Sequence, residues 1–243
     1  MQIEQTILSI IIATHNAAEL LCYTLTSIPR DSSFSFEVII QDGASSDSTC
    51  CVVQKFTHLP ISFESISDNG VYDAWNKALT RMRGQWVIFS GAGDYFDWPV
   101  LECCVAALRS LPKFVDFYAT PIRLITPSGA SLELMKPSAR PLHDLPQGMC
   151  LPHPGIFHRS SLFHEHRFST NCRIAGDYDF LCRTVRRDNV AIGENFFVSM
   201  LTGGISGCMD TMFSSEKELL HISRKYFPGV IPLKPLLRLL RSG

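Results

Sequence analysis

The first half of the chain alternates between two hydrophobic patterns. Continuous runs rich in β-branched residues, such as TILSIIIA at 6–13, predict strands buried on both faces. Apolar residues spaced three and four apart predict helices instead. The predicted strands are 6–13, 36–41, 61–65 and 85–90, and the predicted helices are 17–28, 46–56, 71–82 and 99–111. This alternation with short connections predicts an α/β fold, a mostly parallel sheet with helices on both faces.

The second half has a less regular pattern. Strands are expected at 114–120 and within 190–201, with a hairpin around TPSG at 126–129. Helices are expected at 175–187, beginning near Asp177, and at 214–226, and a loop rich in proline and histidine covers 137–155. We find no repeat or linker, so we expect one domain over 1–231, with halves at 1–111 and 112–231 and a basic, leucine-rich tail at 232–243.

Composition and charge exclude several classes of protein. Hydrophobic residues make up 46% of the 243 residues and charged residues 19%, which predicts a well-filled core rather than disorder. The net charge of −1 gives no electrostatic reason to expect a nucleic acid partner. The nine cysteines include no CxxC spacing, which indicates neither a zinc site nor a redox motif and favours a reducing cytoplasm.

The first apolar stretch, at 6–13, is short and runs into a polar turn, unlike a signal peptide. No apolar run reaches the roughly 18 residues that a membrane span requires. We therefore expect a cytoplasmic protein.

Polar loops follow the four strands predicted in the first half. In parallel sheets, ligands bind outside the carboxyl ends of the strands, so we expect these loops to form one crevice. The loops are THN at 14–16, QDGASSDS at 41–48, SDNG at 67–70 and GAGD at 91–94. In the last of them, small residues leave space around Asp94 for a ligand or a metal ion, although a simple turn would look the same.

These four motifs, in this order, resemble the nucleotide-sugar-binding half of family-two glycosyltransferases, which are inverting enzymes with the GT-A fold. The similarity continues to about residue 206 through HPGIFHRSSLF, AGDYDFLCR and TGGIS, at 153–163, 175–183 and 202–206. It implies a GT-A, Rossmann-like sheet. It also implies transfer of one hexosyl or N-acetylhexosaminyl group from a UDP- or GDP-linked sugar to an acceptor hydroxyl.

The resemblance assigns donor binding to the strand-end loops. It implies that Asp42 recognises the nucleoside, since a carboxylate accepts hydrogen bonds from a base N–H or a ribose hydroxyl. Thr14 and Asn16 would line the same pocket, together with Asp68. The alternative for Asp42 is an ordinary Asp-Gly turn.

The resemblance also implies a divalent cation that bridges the sugar diphosphate. Here Gly91 and Gly93 replace polar or acidic positions of the family motif, and Asp94 alone remains as a metal ligand. One carboxylate with diphosphate oxygens and waters still suits Mn²⁺ or Mg²⁺. Gly93 would let the diphosphate approach the backbone.

Asp177 matches the general base of the family, which an acceptor hydroxyl needs because it is a poor nucleophile at neutral pH. The glutamate that usually precedes it is Gly176 in this chain. The alternative is that Asp177 only caps a helix, with Asp179 in its first turn. We interpret Asp179 as structural, or as support for Asp177.

Further candidates share one helix face or match a subgroup of the family. Asp73, Asn76 and Lys77 lie at helical spacing and are predicted to contact ribose or phosphate, with a solvated face as the alternative. His153 is predicted to lie near the metal or acceptor, although a loop histidine often only makes structural hydrogen bonds.

No QxxRW motif is present, which favours addition of a single sugar over processive synthesis. The resemblance implies a saccharide or polyprenol-linked acceptor in bacterial surface polysaccharide synthesis. The tail at 232–243 fits peripheral contact with the inner face of the plasma membrane, or else a helix packed on the domain. The rival functions are a sugar-nucleotidyltransferase and a degenerate, non-catalytic nucleotide- or glycan-binding protein.

Overall fold

A computed structural model describes residues 5–202, 209–233 and 236. Its strands are β1 Leu8–Thr14, β2 Phe36–Asp42, β3 Ile61–Ser65, β4 Trp86–Gly91, β5 Tyr95–Phe96, β6 Phe117–Ala119, β7 Ile122–Ile125, β8 Ser131–Met135, β9 Ile156–Arg159, β10 Val190–Ile192 and β11 Val198–Leu201. Its α-helices are α1 Ala18–Thr26, α2 Thr49–Val53, α3 Val71–Ala78, α4 Trp98–Leu108, α5 Pro141–Asp144, α6 Leu162–Glu165, α7 Gly176–Thr184 and α8 Met209–Tyr226. Short 3₁₀ turns lie at Leu145–Gln147 and His153–Gly155.

The larger sheet has the strand order β10-β6-β9-β4-β1-β2-β3. Strand β1 pairs in parallel with β2 and β4, β2 pairs in parallel with β3, and β6 pairs in parallel with β10. Strand β9 runs antiparallel to both of its neighbours, β4 and β6. The predicted mostly parallel sheet is therefore confirmed. Its single reversed strand comes from the second half of the chain and joins the two predicted halves in one sheet.

Alternation along β1 explains why this strand lies at the centre of the fold. Successive side chains of a strand point to opposite faces of the sheet. Ile10 and Ile12 belong to a core cluster with α1 and α4, whereas Ile11 belongs to a second cluster with α3 and α7. Because both faces are covered, the strand is buried on both faces, as its mostly apolar run predicts.

A smaller sheet with the order β5-β11-β7-β8 lies beside the larger one. The predicted hairpin is confirmed, since β7 and β8 pair antiparallel and Thr126 N–H donates to the Ala130 carbonyl at 2.9 Å. The strand region predicted at 190–201 is two strands. β10 joins the larger sheet and β11 the smaller one. The last bond to the larger sheet is from Gly193 N–H to the Ala119 carbonyl, and the chain leaves the larger sheet after it.

Several helices differ in length from the prediction. α2 begins only at Thr49, because the Asp47 carboxylate accepts hydrogen bonds from the Thr49 N–H and hydroxyl. α7 ends at Thr184, three residues before the predicted end, where the backbone of Val185 is extended and Asn189 Nδ2 donates to the Thr184 carbonyl.

The predicted tail lies mostly outside the described residues, as does all of the TGGIS motif after Thr202. In the described part of the chain, no helix has both the length and the apolar character needed to cross a bilayer.

Candidate active site

The loops after β1 and β2 are joined by hydrogen bonds. Asn16, in a left-handed conformation with φ of 47°, donates its backbone N–H to Ser45 Oγ at 2.7 Å. Its side-chain Oδ1 accepts from Ser46 N–H at 2.8 Å, and the Thr14 carbonyl accepts from Gly43 N–H at 2.9 Å. The structure thus brings the predicted donor residues Thr14 and Asn16 together with the β2 loop.

Asp42 is buried at the end of β2, with 2% of its surface exposed. Its Oδ2 accepts from Ser45 N–H at 2.9 Å and from Ser65 Oγ at 2.5 Å, and its Oδ1 accepts from Ser45 Oγ at 2.5 Å. Two serines therefore stabilise this carboxylate. A contact between Asp42 and a nucleoside stays a prediction.

Asp68, in the loop after β3, lies next to Gly43 in the loop after β2. A Cβ atom added to Gly43 would lie 2.7 Å from Asp68 Oδ2 and 3.3 Å from His15 Nδ1. Asp68 Oδ1 accepts from Gly70 N–H at 2.9 Å, directly before α3. The carboxyl ends of β1, β2 and β3 therefore meet around Gly43.

The predicted helix face of α3 braces the β3 loop. Lys77 Nζ forms a salt bridge with Asp73 Oδ2 at 3.0 Å and donates to the Ser67 carbonyl at 2.8 Å. Asn69 N–H donates to the same Asp73 oxygen at 3.0 Å, and this bond, with Lys77, lowers the pKa of Asp73. These contacts hold Asp68 at the crevice, and direct substrate contacts of Asp73 and Lys77 stay predictions.

Asn76 lies on α3 but is committed to the backbone of Phe168. Its Nδ2 donates to the Phe168 carbonyl at 2.9 Å, and its Oδ1 accepts from the Phe168 N–H at 3.0 Å. The structure therefore places the Asn76 amide in a structural bridge, and its predicted contact with ribose or phosphate gains no support from this position.

Asp94 follows β4 and is buried in the loop that Gly91 begins. Its Oδ2 accepts from Ser90 Oγ and from Gly91 N–H, both at 2.9 Å, and burial raises its pKa to about 6. Gly93 beside it has φ of 106°, which side chains rarely adopt, and its N–H donates to Thr24 Oγ1 at 2.9 Å. The loop conformation thus depends on glycine and presents a buried carboxyl group without an ion pair in the described chain.

The donor chemistry at Asp94 fits a divalent cation held by one protein ligand. Across residues 5–202, 209–233 and 236, no three His, Cys, Asp or Glu side chains form a group that could hold a metal. A buried carboxyl group with a raised pKa is costly to ionise, and a cation would favour its charged form. The remaining ligands would have to come from a diphosphate and water.

Asp177 lies in the first turn of α7, beside the first turn of α3. Its Oδ1 accepts from Tyr178 N–H at 2.8 Å and from the Tyr72 hydroxyl at 3.2 Å. Burial raises the pKa of Asp177 to about 6, and these hydrogen bonds only partly oppose the shift. A carboxylate with this pKa suits proton abstraction near neutral pH.

The Tyr72 ring explains the missing acid before Asp177. A Cβ atom added to Gly176 would lie 2.7 to 2.9 Å from three atoms of this ring, which is closer than side chains approach. The Tyr72 hydroxyl also hydrogen-bonds the Ile174 carbonyl. Tyr72 therefore fills the space that a glutamate side chain at 176 would need.

Asp179 has a structural environment, in agreement with its interpretation from sequence. Arg183 Nε donates to its Oδ2 at 2.8 Å, and the Tyr226 hydroxyl donates to its Oδ1 at 3.0 Å. The pair with Arg183 links one turn of α7 to the next, and Tyr226 links α7 to α8.

His153 lies in an aromatic core rather than on the surface of the crevice. Its ring stacks on Trp75 and Phe89 at centroid distances of 5.1 and 5.6 Å, and it is 5% exposed. Burial and the nearby His158 ring lower its pKa well below the usual value, so that it is neutral. The position does not support its predicted contact with metal or acceptor.

Sequence reasoning missed Tyr72 and the serines that hold the carboxylates. Tyr72 lies inside a recognised motif, so a search for partners of Asp177 among motif residues could have found it. Ser45 lies in another such motif, whereas Ser65 offers no signal beyond its place at the end of β3. Sequence reasoning also missed a cavity of about 410 Å³ between α1 and the β7–β8 hairpin, with Leu20, Tyr23 and Leu201 in its wall. Leu20 and Leu201 also lie beside Gly93.

The chain is similar in sequence to known proteins. The family model described as Glycosyl transferase family 2 matches residues 9–167. A curated PGL/p-HBAD biosynthesis glycosyltransferase of Mycobacterium tuberculosis is 38% identical over 91 residues. This similarity spans 35% of our chain and only 35% of the length of that relative.

Solved structures share the fold over almost the whole chain. Staphylococcus aureus TarS 1–349 in complex with UDP-GlcNAc matches with a TM-score of 0.68 and 15% identity, covering 98% of our chain and 71% of TarS 1–349. The mannosyltransferase PcManGT from Pyrobaculum calidifontis, in complex with GDP-Man and Mn²⁺, matches with a TM-score of 0.67 and 15% identity, covering 99% and 69%. These likenesses confirm the predicted GT-A fold.

Proposed function

The chain belongs to glycosyltransferase family 2, and on that premise we propose that it transfers one sugar from a nucleoside diphosphate sugar to an acceptor hydroxyl with inversion. The observation that carries this proposal is the Asp177 carboxyl group at the start of α7. It is held by Tyr72 beside the crevice loops, and its pKa of about 6 is suited to a general base.

The chemical step is a direct displacement. Asp177 accepts the proton of the acceptor hydroxyl while the acceptor oxygen forms a bond to the anomeric carbon of the donor. The bond from that carbon to the diphosphate oxygen breaks, and the nucleoside diphosphate leaves with the bonding electron pair. Attack from the face opposite the leaving group inverts the anomeric configuration.

Donor binding is proposed for the loops that meet around Gly43. Asp42, Asp68, Thr14 and Asn16 provide carboxylates, an amide and backbone groups there, all suited to a nucleoside. Thr14 Oγ1 is buried without a hydrogen-bond partner in the described residues, which is consistent with a missing polar ligand. TarS in complex with UDP-GlcNAc and PcManGT in complex with GDP-Man support a nucleotide sugar of either base.

Asp94 is proposed to hold Mn²⁺ or Mg²⁺, with diphosphate oxygens and waters completing the coordination. When bound, such an ion stabilises the negative charge of the departing diphosphate. The Gly93 turn leaves the backbone of this loop open to the diphosphate. Support comes from the isolated, buried carboxyl group and from the Mn²⁺ in the PcManGT complex.

The acceptor is proposed to be a saccharide or polyprenol-linked glycan in bacterial glycoconjugate synthesis, reached from the cytoplasmic side of the membrane. The name of the mycobacterial relative, which refers to PGL/p-HBAD biosynthesis, supports glycoconjugate assembly. A transferred hexosyl or N-acetylhexosaminyl group agrees with the GDP-Man and UDP-GlcNAc of the structural neighbours.

The experiment incubates the purified protein with UDP-GlcNAc or GDP-Man in the presence of Mn²⁺ and measures release of the nucleoside diphosphate. We expect slow donor hydrolysis by the wild type, because water replaces the acceptor, and its loss in Asp177→Asn. A second candidate is a non-catalytic nucleotide-binding protein, favoured by glycine at 91, 93 and 176. Nucleotide binding without turnover of either donor, with or without added glycan acceptors, would favour that candidate.

A further inference from the structure

Glu218 of α8 holds the backbone that leads into α7. Its Oε1 accepts from Arg173 N–H at 3.0 Å, and its Oε2 accepts from Ile174 N–H at 2.9 Å and from Ala175 N–H at 2.8 Å. These are the three residues before the first residue of α7. A carboxylate is favourable here because the free N–H groups at a helix start carry partial positive charge.

Tyr72 of α3 binds the same backbone segment, at a carbonyl group rather than at an N–H group. Its hydroxyl hydrogen-bonds the Ile174 carbonyl and lies 3.2 Å from Asp177 Oδ1. Residue 174 therefore has its N–H bound to α8 and its carbonyl bound to α3. The two residues that make these bonds are 146 positions apart in sequence, at 72 and 218, and they bind the same residue, Ile174.

The α8 helix is itself fixed against the rest of the fold. Leu219 and Ile222 are buried in the core cluster that contains the apolar side chains of α7. Ser223 Oγ donates to the Pro146 carbonyl at 2.7 Å, and the Tyr226 hydroxyl donates to Asp179 at 3.0 Å. Glu218 thus extends from a helix whose following turns are anchored to the core, to the Pro146 carbonyl and to α7.

We propose that Glu218 and Tyr72 are positioning residues that fix the Asp177 carboxylate for proton abstraction, so that α8 completes the catalytic site. This inference rests on the proposed role of Asp177 as the base. A shift of about 1 Å in a reacting group can cost on the order of 100-fold in rate, so the fixation of this short segment matters for turnover.

The charges around Asp177 give this arrangement a specific signature. Tyr72 faces it from α3 and Glu218 from α8, and on its own helix Asp179 is paired with Arg183. The negative charge of Glu218 raises the pKa of Asp177, whereas the hydrogen bond from Tyr72 lowers it. Removal of the two groups should therefore move this pKa in opposite directions.

The experiment records kcat and the pH dependence of kcat/KM for Glu218→Gln and Tyr72→Phe, with UDP-GlcNAc or GDP-Man as the donor that wild type turns over. We expect kcat to fall about 10-fold or more in both variants, because Asp177 loses its fixed orientation. The acid limb of the profile should move to lower pH in Glu218→Gln and to higher pH in Tyr72→Phe.

The matched control is Glu165→Gln on α6, which removes the same charge at an exposed position and should behave as wild type. Thermal unfolding checks that each variant is folded. If Glu218→Gln does not fold, the kcat and pH profile of Tyr72→Phe decide the test. Wild-type kcat and profile in both variants, with Asp177→Asn inactive, would overturn the positioning role. Full turnover by Asp177→Asn would instead overturn the proposed function on which it rests.

Discussion

The two ends of the larger sheet treat buried carboxylates differently. At the amino end, Glu37 of β2 is 1% exposed and accepts from Ser9 Oγ at 2.7 Å, Arg83 N–H at 2.6 Å and Arg83 Nε at 2.8 Å. At the carboxyl end, Asp94 is also buried, at 6% exposed, but among the described residues it accepts only from Ser90 and Gly91. In the described chain, Asp94 forms no ion pair.

The two ends of the sheet therefore differ in how a buried carboxylate is stabilised. We call Ser9, Glu37 and Arg83 the clamp, because they tie β1 and β2 to the turn before β4. The clamp neutralises its charge within the protein, and we interpret the clamp as structural and Asp94 as part of the proposed site. Among the described residues, Asp94 and Asp177 form no ion pair, and burial raises the pKa of each to about 6. Groups with such shifts mark places where a ligand or a reaction completes the interactions.

The largest effect expected from this comparison is on turnover by Asp177→Asn. The amide cannot accept the proton of an acceptor or of water, so donor turnover should fall by about 100-fold or more. The near-isosteric amide oxygen still accepts hydrogen bonds, so nucleotide binding should stay as in wild type. Turnover is measured as nucleoside diphosphate release and binding by calorimetry. Unchanged turnover would move the base to another residue.

At the amino end of the sheet, substitution of Glu37 should lower the free energy of unfolding. Glu37→Gln removes the charge that Arg83 pairs with and weakens three hydrogen bonds at a buried position, which we expect to cost about 2 kcal/mol in the free energy of unfolding. Turnover per folded molecule should be retained. Chemical denaturation measures the cost, and Glu133→Gln on the exposed strand β8 is the control. A loss of turnover without a loss of stability would contradict the role of the clamp.

A smaller effect, specific to Asp94, is expected on the Mn²⁺ dependence of nucleotide binding. Mn²⁺ should tighten binding of UDP or GDP to the wild type by about tenfold or more, because the cation neutralises the diphosphate charge near Asp94. Asp94→Asn should lose most of this tightening while it keeps the hydrogen bonds from Ser90 and Gly91. Titration calorimetry with and without Mn²⁺ measures it. The same Mn²⁺ effect in both proteins would exclude Asp94 as the ligand.

The last expected effect is a pH-dependent gain in stability when Asp177 is replaced by a neutral residue. With a folded pKa of about 6 against an ordinary 3.8, the folded protein binds this proton more tightly than the unfolded chain does. Stability from this group therefore falls as the pH rises through that window. Asp177→Asn should be about 3 kcal/mol more stable than wild type at pH 7.5, and equally stable below about pH 3. Denaturation at both pH values measures the difference, and a less stable variant at pH 7.5 would contradict the uncompensated charge.

The sheet was predictable from sequence, whereas part of the site was not. Apolar runs such as TILSIIIA report burial on both faces, and local hydrogen bonds fix where each strand ends. Strand β9 gave no such signal, since only four residues form it and its reversed direction is set by the β4 and β6 edges that it fills.

The same limit applies to residues of the site. Asp94 and Asp177 stand out because they follow recognisable local patterns. His153 and Asn76 matched patterns too, but aromatic packing and the Phe168 backbone claim them in the fold. Glu218 has no local pattern, because its role depends on where α8 docks.

The most direct test of the contrast between the clamp and the carboxyl groups of the proposed site is a carbon-13 titration of the Asp177 carboxyl group by NMR. The signal is assigned by its absence in Asp177→Asn, and the protein is free of nucleotide and metal. The partly buried position of Asp177, with no ion pair among the described residues, predicts a midpoint near pH 6. A midpoint near the ordinary value of 3.8 would mean that Asp177 is neutralised as fully as the clamp, and would contradict this account of the site.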